Sequence, residues 1–396
     1  MKKKNIYVFL SNKTNTFDIF FPLAKKLKSK NKNLFFKFFV FNKKTYKDIY
    51  DNTFFSSEVN NLGSIQVING QFLSQYKIFR IFFTVFNIFN IIIYSLLFRT
   101  SFFHFKGLEK LPFSLLYFAN KKNCYLIDSN PWGFSENIND AYNIKNNKKI
   151  GSQNKLFLKK YSKLISFSQK WNQVGYSYVN NKDVYFFNST RAQKNWLEFC
   201  KIQSNQFLNQ QQKLKNIIKG KRVVLYLFGT FSNLVQLDET YDGRKLFEKT
   251  MKVLNNLKNF FIIIKPHPNA DLELLKKLID EYKNKNIIII NTHTSVLSNF
   301  CHFAICNYMS LAMGDAWLNG TTTIEFTKYK QKLLKKTNFR SVIPEFADYF
   351  IDITLSKKLE KILYSNHKLE LRNYKNDIPN DDEKIFLKEF NKSMNL

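Results

Sequence analysis

The sequence predicts an α/β protein of two doubly wound domains, each a parallel sheet covered by helices, facing each other across a cleft. Three observations carry that reading. Short apolar runs alternate with helical stretches along most of the chain, and the alternation falls into two blocks. In the second block the runs are apolar without interruption, as in strands buried on both faces. The length of 396 residues suits two cores better than one, and a hydrophobic content of 44% can fill them.

In the first block, residues 5–10 predict a strand, 11–16 a loop, 17–28 a helix and 34–41 a second strand. That order opens a parallel sheet with right-handed crossovers. The loop has no glycine, so it is neither a P-loop nor a dinucleotide fingerprint. Its polar side chains, Asn12 among them, either bind an acceptor sugar or cap the following helix. Residues 65–67 read as a weak strand and 71–105 as helical. Within the latter, 81–98 carries no charge and is flanked by Arg80 and Arg99. The length approaches a membrane span, but Thr84, Asn87, Asn90 and Ser95 interrupt it and favour a buried or membrane-surface helix. Residues 123–127 predict a strand that runs into a chemically varied loop. Asp128, Glu136 and Asp140 there are candidate general bases, and Trp132 is an aromatic ring suited to stacking on a sugar. Residues 155–167 read as helix, 183–188 as strand and 191–200 as helix.

The polar stretch 201–221, with Gln210-Gln211-Gln212, is the expected linker, partly helical, between a first domain at 1–200 and a second at 222–375. A helical tail is expected over 376–396. The second block opens with a strand at 222–228, followed by Gly229 for a tight turn and by Thr230 and Ser232 as hydroxyls at the strand's carboxyl end. After a helix at 243–256, a strand at 260–264 ends in Lys265-Pro266-His267-Pro268. The prolines cannot donate ladder hydrogen bonds, so they stop the strand. They also bias Lys265 and His267 toward extended geometry. A cation and an imidazole thus stand at the edge where open α/β sheets bind ligands. A strand at 304–308 leads to Ser310, the expected cap of a helix at 311–318. The first N–H groups of that helix, at Leu311–Met313, would form an anion site. A further strand at 322–326 carries Glu325 at its end.

Lys265-Pro266-His267-Pro268 resembles the His-Pro motif of bacterial GT-B glycosyltransferases that use CMP-activated sugars, such as capsule Kdo transferases and bacterial sialyltransferases. The resemblance covers about residues 222–329. It implies two Rossmann-like domains of GT-B type and a nucleotide-sugar donor whose phosphate meets His267, with Pro268 shaping the turn and Ser310 assisting. By position, it implies that Glu325 binds the ribose hydroxyls. It further implies a glycan or lipid-linked acceptor, surface-polysaccharide or lipopolysaccharide assembly at the inner face of the plasma membrane, and no metal cofactor. One departure stands out. The family's acidic pair followed by glycine is missing from the first domain, and the only acid–glycine pair, Asp242-Gly243, lies in the second. The base therefore stays open among Asp128, Glu136 and Asp140. Alternative readings are a CDP-polyol phosphotransferase or UDP-sugar epimerase of the same fold, or a non-catalytic membrane-associated scaffold.

The net charge of +32 favours anionic partners. The lysines are spread over the whole chain, beside abundant Asn, Ile and Phe and only 11 Gly and 7 Pro, a pattern of AT-rich coding. Without a basic stripe, zinc-finger spacing or RNP-like motif, nucleic acid is not the expected partner. Cys124, Cys200, Cys301 and Cys306 form no CxxC pair and read as buried thiols of a reducing compartment. Residues 6–10 are too short for the apolar core of a secretory leader. Phe82, Phe83, Phe86, Phe89, Phe98, Phe102 and Phe103 lie among Lys77, Arg80, Arg99 and Lys106. They either fill the first core or anchor the chain to an anionic membrane.

Overall fold

The computed structural model describes residues 3–10, 14–70, 77–105, 113–116, 123–128, 163–167, 183–365, 372 and 380–395. They form two compact α/β units. The first contains the described residues up to Gln193 together with 380–395, and the second those from Lys194 to Arg372.

Both sheets are wholly parallel. The first comprises β1 (Lys4–Phe9), β2 (Leu34–Val40), β3 (Gly63–Val67), β4 (Ser101–His104), β5 (Cys124–Ile127), β6 (Lys163–Ser166) and β7 (Val184–Phe186), in the order β3-β2-β1-β4-β5-β6-β7. The second comprises β8 (Arg222–Phe228), β9 (Phe260–Pro266), β10 (Ile287–Ile289), β11 (Phe303–Cys306), β12 (Thr322–Thr327) and β13 (Tyr349–Asp352), in the order β10-β9-β8-β11-β12-β13. In each, strand addition reverses after the third strand and resumes on the other side of the first. That is the doubly wound topology the apolar runs predict.

Phenylalanine fills the first core. Phe17 and Phe20 on α1 (Thr14–Lys30) meet Phe38 and Phe103 with ring centroids 5.0 Å apart in both pairs. Tilted and edge-on contacts of this kind add to simple burial. Asn42 and Asn52 cap α2 (Lys43–Tyr50) and α3 (Thr53–Leu62), each accepting a backbone N–H of the first turn.

Two expectations need correction and two need refinement. The helix expected over 71–105 is α4 (Lys77–Leu97), after which the chain enters β4. The described part of 155–167, expected helical, is β6, whose Leu164 pairs with Val184; a short apolar run without glycine or proline reads either way. The stretch 201–221, expected to be partly helical, is helical over most of its length. α5 (Lys194–Gln210) and α6 (Gln212–Ile218) occupy it, and Trp196 lies edge-on to His293 at 5.8 Å. The helix expected in the C-terminal tail is Asp381–Met394, and it belongs to the first unit. There Phe386 packs on Tyr125 at 5.2 Å and Phe187 at 5.3 Å, while the fully buried Glu383 accepts from Gln193 at 2.8 Å and from Lys26.

Replacing Phe386 with Ala should therefore cost the first unit about 3–5 kcal/mol. In urea, the transition reported by first-unit probes should move to lower denaturant while that of the second unit stays in place.

Candidate functional site

The topological switch of the second sheet lies between β8 and β11, and the loops leaving their carboxyl ends frame the candidate site. The β8 loop is held from below by α7 (Gly243–Asn255). Gly243 N–H donates to the Ser232 carbonyl at 3.3 Å, and a Cβ on Gly243 would lie 1.9 Å from the Thr230 carbonyl oxygen. Only glycine lets helix and loop approach so closely. Asp242 caps the same helix, accepting from Lys245 N–H at 2.7 Å. The acid–glycine pair is thus a packing device for the loop. Within the loop, Thr230 Oγ1 accepts from Ser232 N–H and donates to Ser232 Oγ, both at 3.2 Å. Gly229 departs from expectation. Its backbone is not left-handed, and a Cβ there would meet nothing within 4 Å. The turn does not require a glycine, and the space above it is open.

On the neighbouring strand, the ladder runs as far as Phe228 paired with Pro266, and His267 N–H extends it by donating to the Phe228 carbonyl at 2.8 Å. The motif therefore stands beside the exit of β8, with Lys265 half-buried and His267 and Pro268 exposed. The His267 carbonyl accepts from Ala270 N–H at 2.8 Å, and Asn269 N–H donates to His267 Nδ1 at 3.1 Å. Because Nδ1 is an acceptor, the neutral ring carries its proton on Nε2 and presents a donor there. Asp271 then caps α8 (Leu272–Glu281), accepting from Leu274 N–H at 3.0 Å.

Asn307 fixes the exit of β11. Its Nδ2 donates to Thr250 Oγ1 on α7 and to the Phe326 carbonyl on β12, both at 2.7 Å, and its Oδ1 accepts the Tyr226 hydroxyl from β8. Two residues on, Met309 N–H donates to the Tyr329 hydroxyl at 3.0 Å, which in turn donates to Glu325. These bonds set the position of Ser310. Its Oγ accepts from Ala312 N–H at 3.3 Å and its carbonyl from Met313 N–H at 3.0 Å, so two of the three N–H groups expected to bind an anion are already engaged. The helix itself, Ala312–Leu318, begins with Leu311 rather than Ser310 in the cap position and is only seven residues long.

Glu325 also departs from expectation. It lies inside β12, in register between Cys306 and Phe350, and is fully buried. Burial pushes its carboxyl above the ordinary range, offset in part by the Ser341 and Tyr329 hydroxyls. A group closed off in this way does not offer itself to a ribose diol. Asp315, in the first turn of the helix after Ser310, is buried as well.

In the first unit, Asp128 follows β5 as expected but is fully buried. Its N–H donates to the Ile165 carbonyl at 2.9 Å, and its carboxylate accepts the Ser166 hydroxyl at 3.3 Å. Asn12, Trp132, Glu136 and Asp140 lie outside the described residues. Among the described residues no cluster of His, Cys, Asp and Glu could hold a metal ion, and all four cysteines are buried free thiols.

Tyr329→Phe tests the buried link beneath the β11 loop. It removes the acceptor of Met309 N–H and a donor to Glu325, and should cost about 1–3 kcal/mol. Burial raises the folded pKa of Glu325, so its contribution to stability is full in acid and is lost as pH rises through the folded value. Removing the Tyr329 donor worsens that loss. Urea unfolding should show a larger deficit for the variant at pH 7 than at pH 4.

No family model matches the sequence, and a search of curated proteins finds no match either. Solved structures do share the fold. The UDP-GlcNAc 2-epimerase of Methanocaldococcus jannaschii in complex with UDP-GlcNAc and UDP aligns with a TM-score of 0.55 at 12% identity, covering 98% of this chain and 99% of that one. The S. aureus MnaA–UDP structure aligns with a TM-score of 0.53 at 10% identity, covering 99% and 97%. The glycosyltransferase of kitacinnamycin aligns with a TM-score of 0.45 at 10% identity, covering 100% and 96%. At such identities the first two likenesses speak to architecture alone. The chain has the two parallel-sheet α/β domains of the GT-B type.

Proposed function

We propose that the chain is a nucleotide-sugar-dependent glycosyltransferase that binds the donor phosphate at the carboxyl edge of its second sheet. The observation that carries this reading is the Asn269 N–H bond to His267 Nδ1, which leaves an exposed imidazole with its donor on Nε2 at the end of β9. Lys265 on the same strand end, the Thr230 and Ser232 hydroxyls, Ser310 and the open space over Gly229 complete a polar edge for a phosphate. As the glycosidic bond to the nucleotide breaks, negative charge grows on that phosphate. Charge-assisted bonds from imidazole and ammonium groups strengthen with it, and this reading calls for no metal cofactor.

Within the proposal, the donor is CMP-linked, of the Kdo or other nonulosonate kind, on the strength of the Lys265–Pro268 motif alone. The acceptor is a surface-polysaccharide or lipid-linked glycan. An inverting transfer needs a carboxylate to take the acceptor's proton. Burial and the Ser166 bond make Asp128 the least suited of the three candidates, which favours Glu136 or Asp140. A second reading, a UDP-sugar epimerase, is favoured by one observation: the two fold matches with TM-scores of 0.55 and 0.53 are structures containing UDP.

Calorimetry with CMP, CDP, UDP and GDP separates these readings. The transferase proposal expects CMP to bind best, and His267→Ala to weaken it about tenfold or more, the equivalent of a charge-assisted bond of about 1.5–3 kcal/mol. Gly229→Ala should leave the unfolding midpoint unchanged yet weaken nucleotide binding. Preferred binding of UDP, with UDP-GlcNAc isomerised in the absence of an acceptor, would establish the epimerase instead. If no nucleotide binds, or His267→Ala binds as wild type does, the phosphate site is refuted.

A further inference from the structure

α4 is inside out compared with a helix that faces water. The side turned to the protein carries Asn87, whose Nδ2 donates to the Ile68 carbonyl at 2.7 Å, and the buried Ile88 and Ile91, which join Tyr7, Phe9, Phe39 and Phe102 in one core cluster. Thr84 and Ser95 bond back to the carbonyls of Arg80 at 2.7 Å and Ile91 at 2.6 Å, so these hydroxyls need no water. Between Ile81 and Leu97 every exposed residue is apolar except Asn90. Ile78, Phe82, Val85, Phe86, Phe89 and Ile93 recur three and four residues apart, and the first two are 80% and 61% exposed. The Phe82 and Phe86 rings run parallel with centroids 6.3 Å apart. From Ile78 to Ile93 the strip is about 23 Å long, and leaving so large an apolar face in water is costly.

Charge indicates what covers it. No aspartate or glutamate occurs between Glu58 and Glu109, while Lys77, Arg80, Arg99 and Lys106 fall within that interval. Arg80 and Arg99 are both exposed, one near each end of the helix. An apolar strip bracketed by cations fits a bilayer that carries anionic lipid, because acyl chains take the rings and headgroup phosphates take the guanidinium groups. α4 is long and apolar enough to cross a membrane. Its lateral packing through Asn87, Ile88 and Ile91 argues against that, since a spanning helix cannot lie flat on the core of a water-soluble sheet. We propose that α4 lies in the plane of an anionic membrane surface, with the Phe82–Phe86–Phe89 strip sunk into the boundary between headgroups and acyl chains. This inference is independent of which nucleotide, if any, the second unit binds.

Flotation of the full chain with vesicles tests it. Wild type should float with phosphatidylcholine–phosphatidylglycerol vesicles far more than with phosphatidylcholine alone, and high salt should weaken the binding by screening. The triple variant Phe82→Gln, Phe86→Gln, Phe89→Gln should lose about tenfold or more of its vesicle affinity. All three side chains are exposed, so its circular dichroism and urea midpoint should match wild type. Arg80→Gln should lower the affinity for anionic vesicles about fivefold, and leave that for neutral vesicles unchanged. Phe86→Trp gives a readout in an otherwise intact chain: its emission should shift to the blue when anionic vesicles are added. The proposal is overturned if wild type stays unbound, if the triple variant floats equally well, or if the Phe86→Trp emission does not move. Binding that resists carbonate would show a spanning helix. A self-associating wild type that the triple variant makes monomeric, with no change in flotation, would show that a second copy covers the strip.

Discussion

The amide of Asn307 joins three elements at one point: the hydroxyl of Tyr226 from the first strand of the second sheet, Thr250 from the helix after it, and the backbone of the fifth strand at Phe326. Both N–H donors and the carbonyl oxygen of that side chain are used on groups inside the unit. Tyr226 and Thr250 are fully buried, so without Asn307 their hydroxyls would have to find other partners away from water. The loop that carries Ser310 starts at this residue. The loop that carries Thr230 and Ser232 rests on the helix that carries Thr250. The two flanks of the crevice are therefore referenced to one side chain, and His267 is tied to the same frame through the Phe228 carbonyl.

How much of this was legible in the sequence depended on the kind of signal. The uninterrupted run ending in Lys265-Pro266-His267-Pro268 announced a central strand and its stop, because prolines and β-branched residues act locally. The boundaries of β8 and β12 followed from similar runs. β4 and β6 were missed because each is four residues long and follows a stretch with helical spacing, so only pairing with β1 and β5 defines them. At the site, side-chain identity was legible and burial was not. Glu325 and Asp128 look like exposed strand-end acids in one dimension, yet both are fully enclosed. Ser310 was placed within one residue of the helix start, but nothing local revealed that its neighbours' N–H groups were already satisfied. The role of Asn307 is wholly tertiary: its three partners are 81, 57 and 19 residues away in sequence.

The first unit shows how a sheet can be filled almost entirely with rings. Tyr7, Phe9 and Phe39 stack or tilt against one another and against Phe102 on one face, while Phe17, Phe20, Phe36, Phe38 and Phe103 do so on the other. Aromatic side chains give much buried area for little rotamer entropy, which suits strands as short as β4 and β5. The same preference for phenylalanine leads to a different result on α4, where the rings are turned outward.

The return of the Asp381–Met394 helix to the first unit bears on how the protein is made. During synthesis the amino-terminal sheet emerges early, but Phe386 and Phe390, which cover Phe103 and Tyr125, leave the ribosome only after the whole second unit. Until then a ring-lined face of the first sheet lacks its cover, at the stage when an exposed aromatic surface invites aggregation or a chaperone. The second unit is complete as soon as its own strands have emerged. The order of manufacture therefore runs opposite to the order of the chain: the domain that begins the sequence is the last to finish folding.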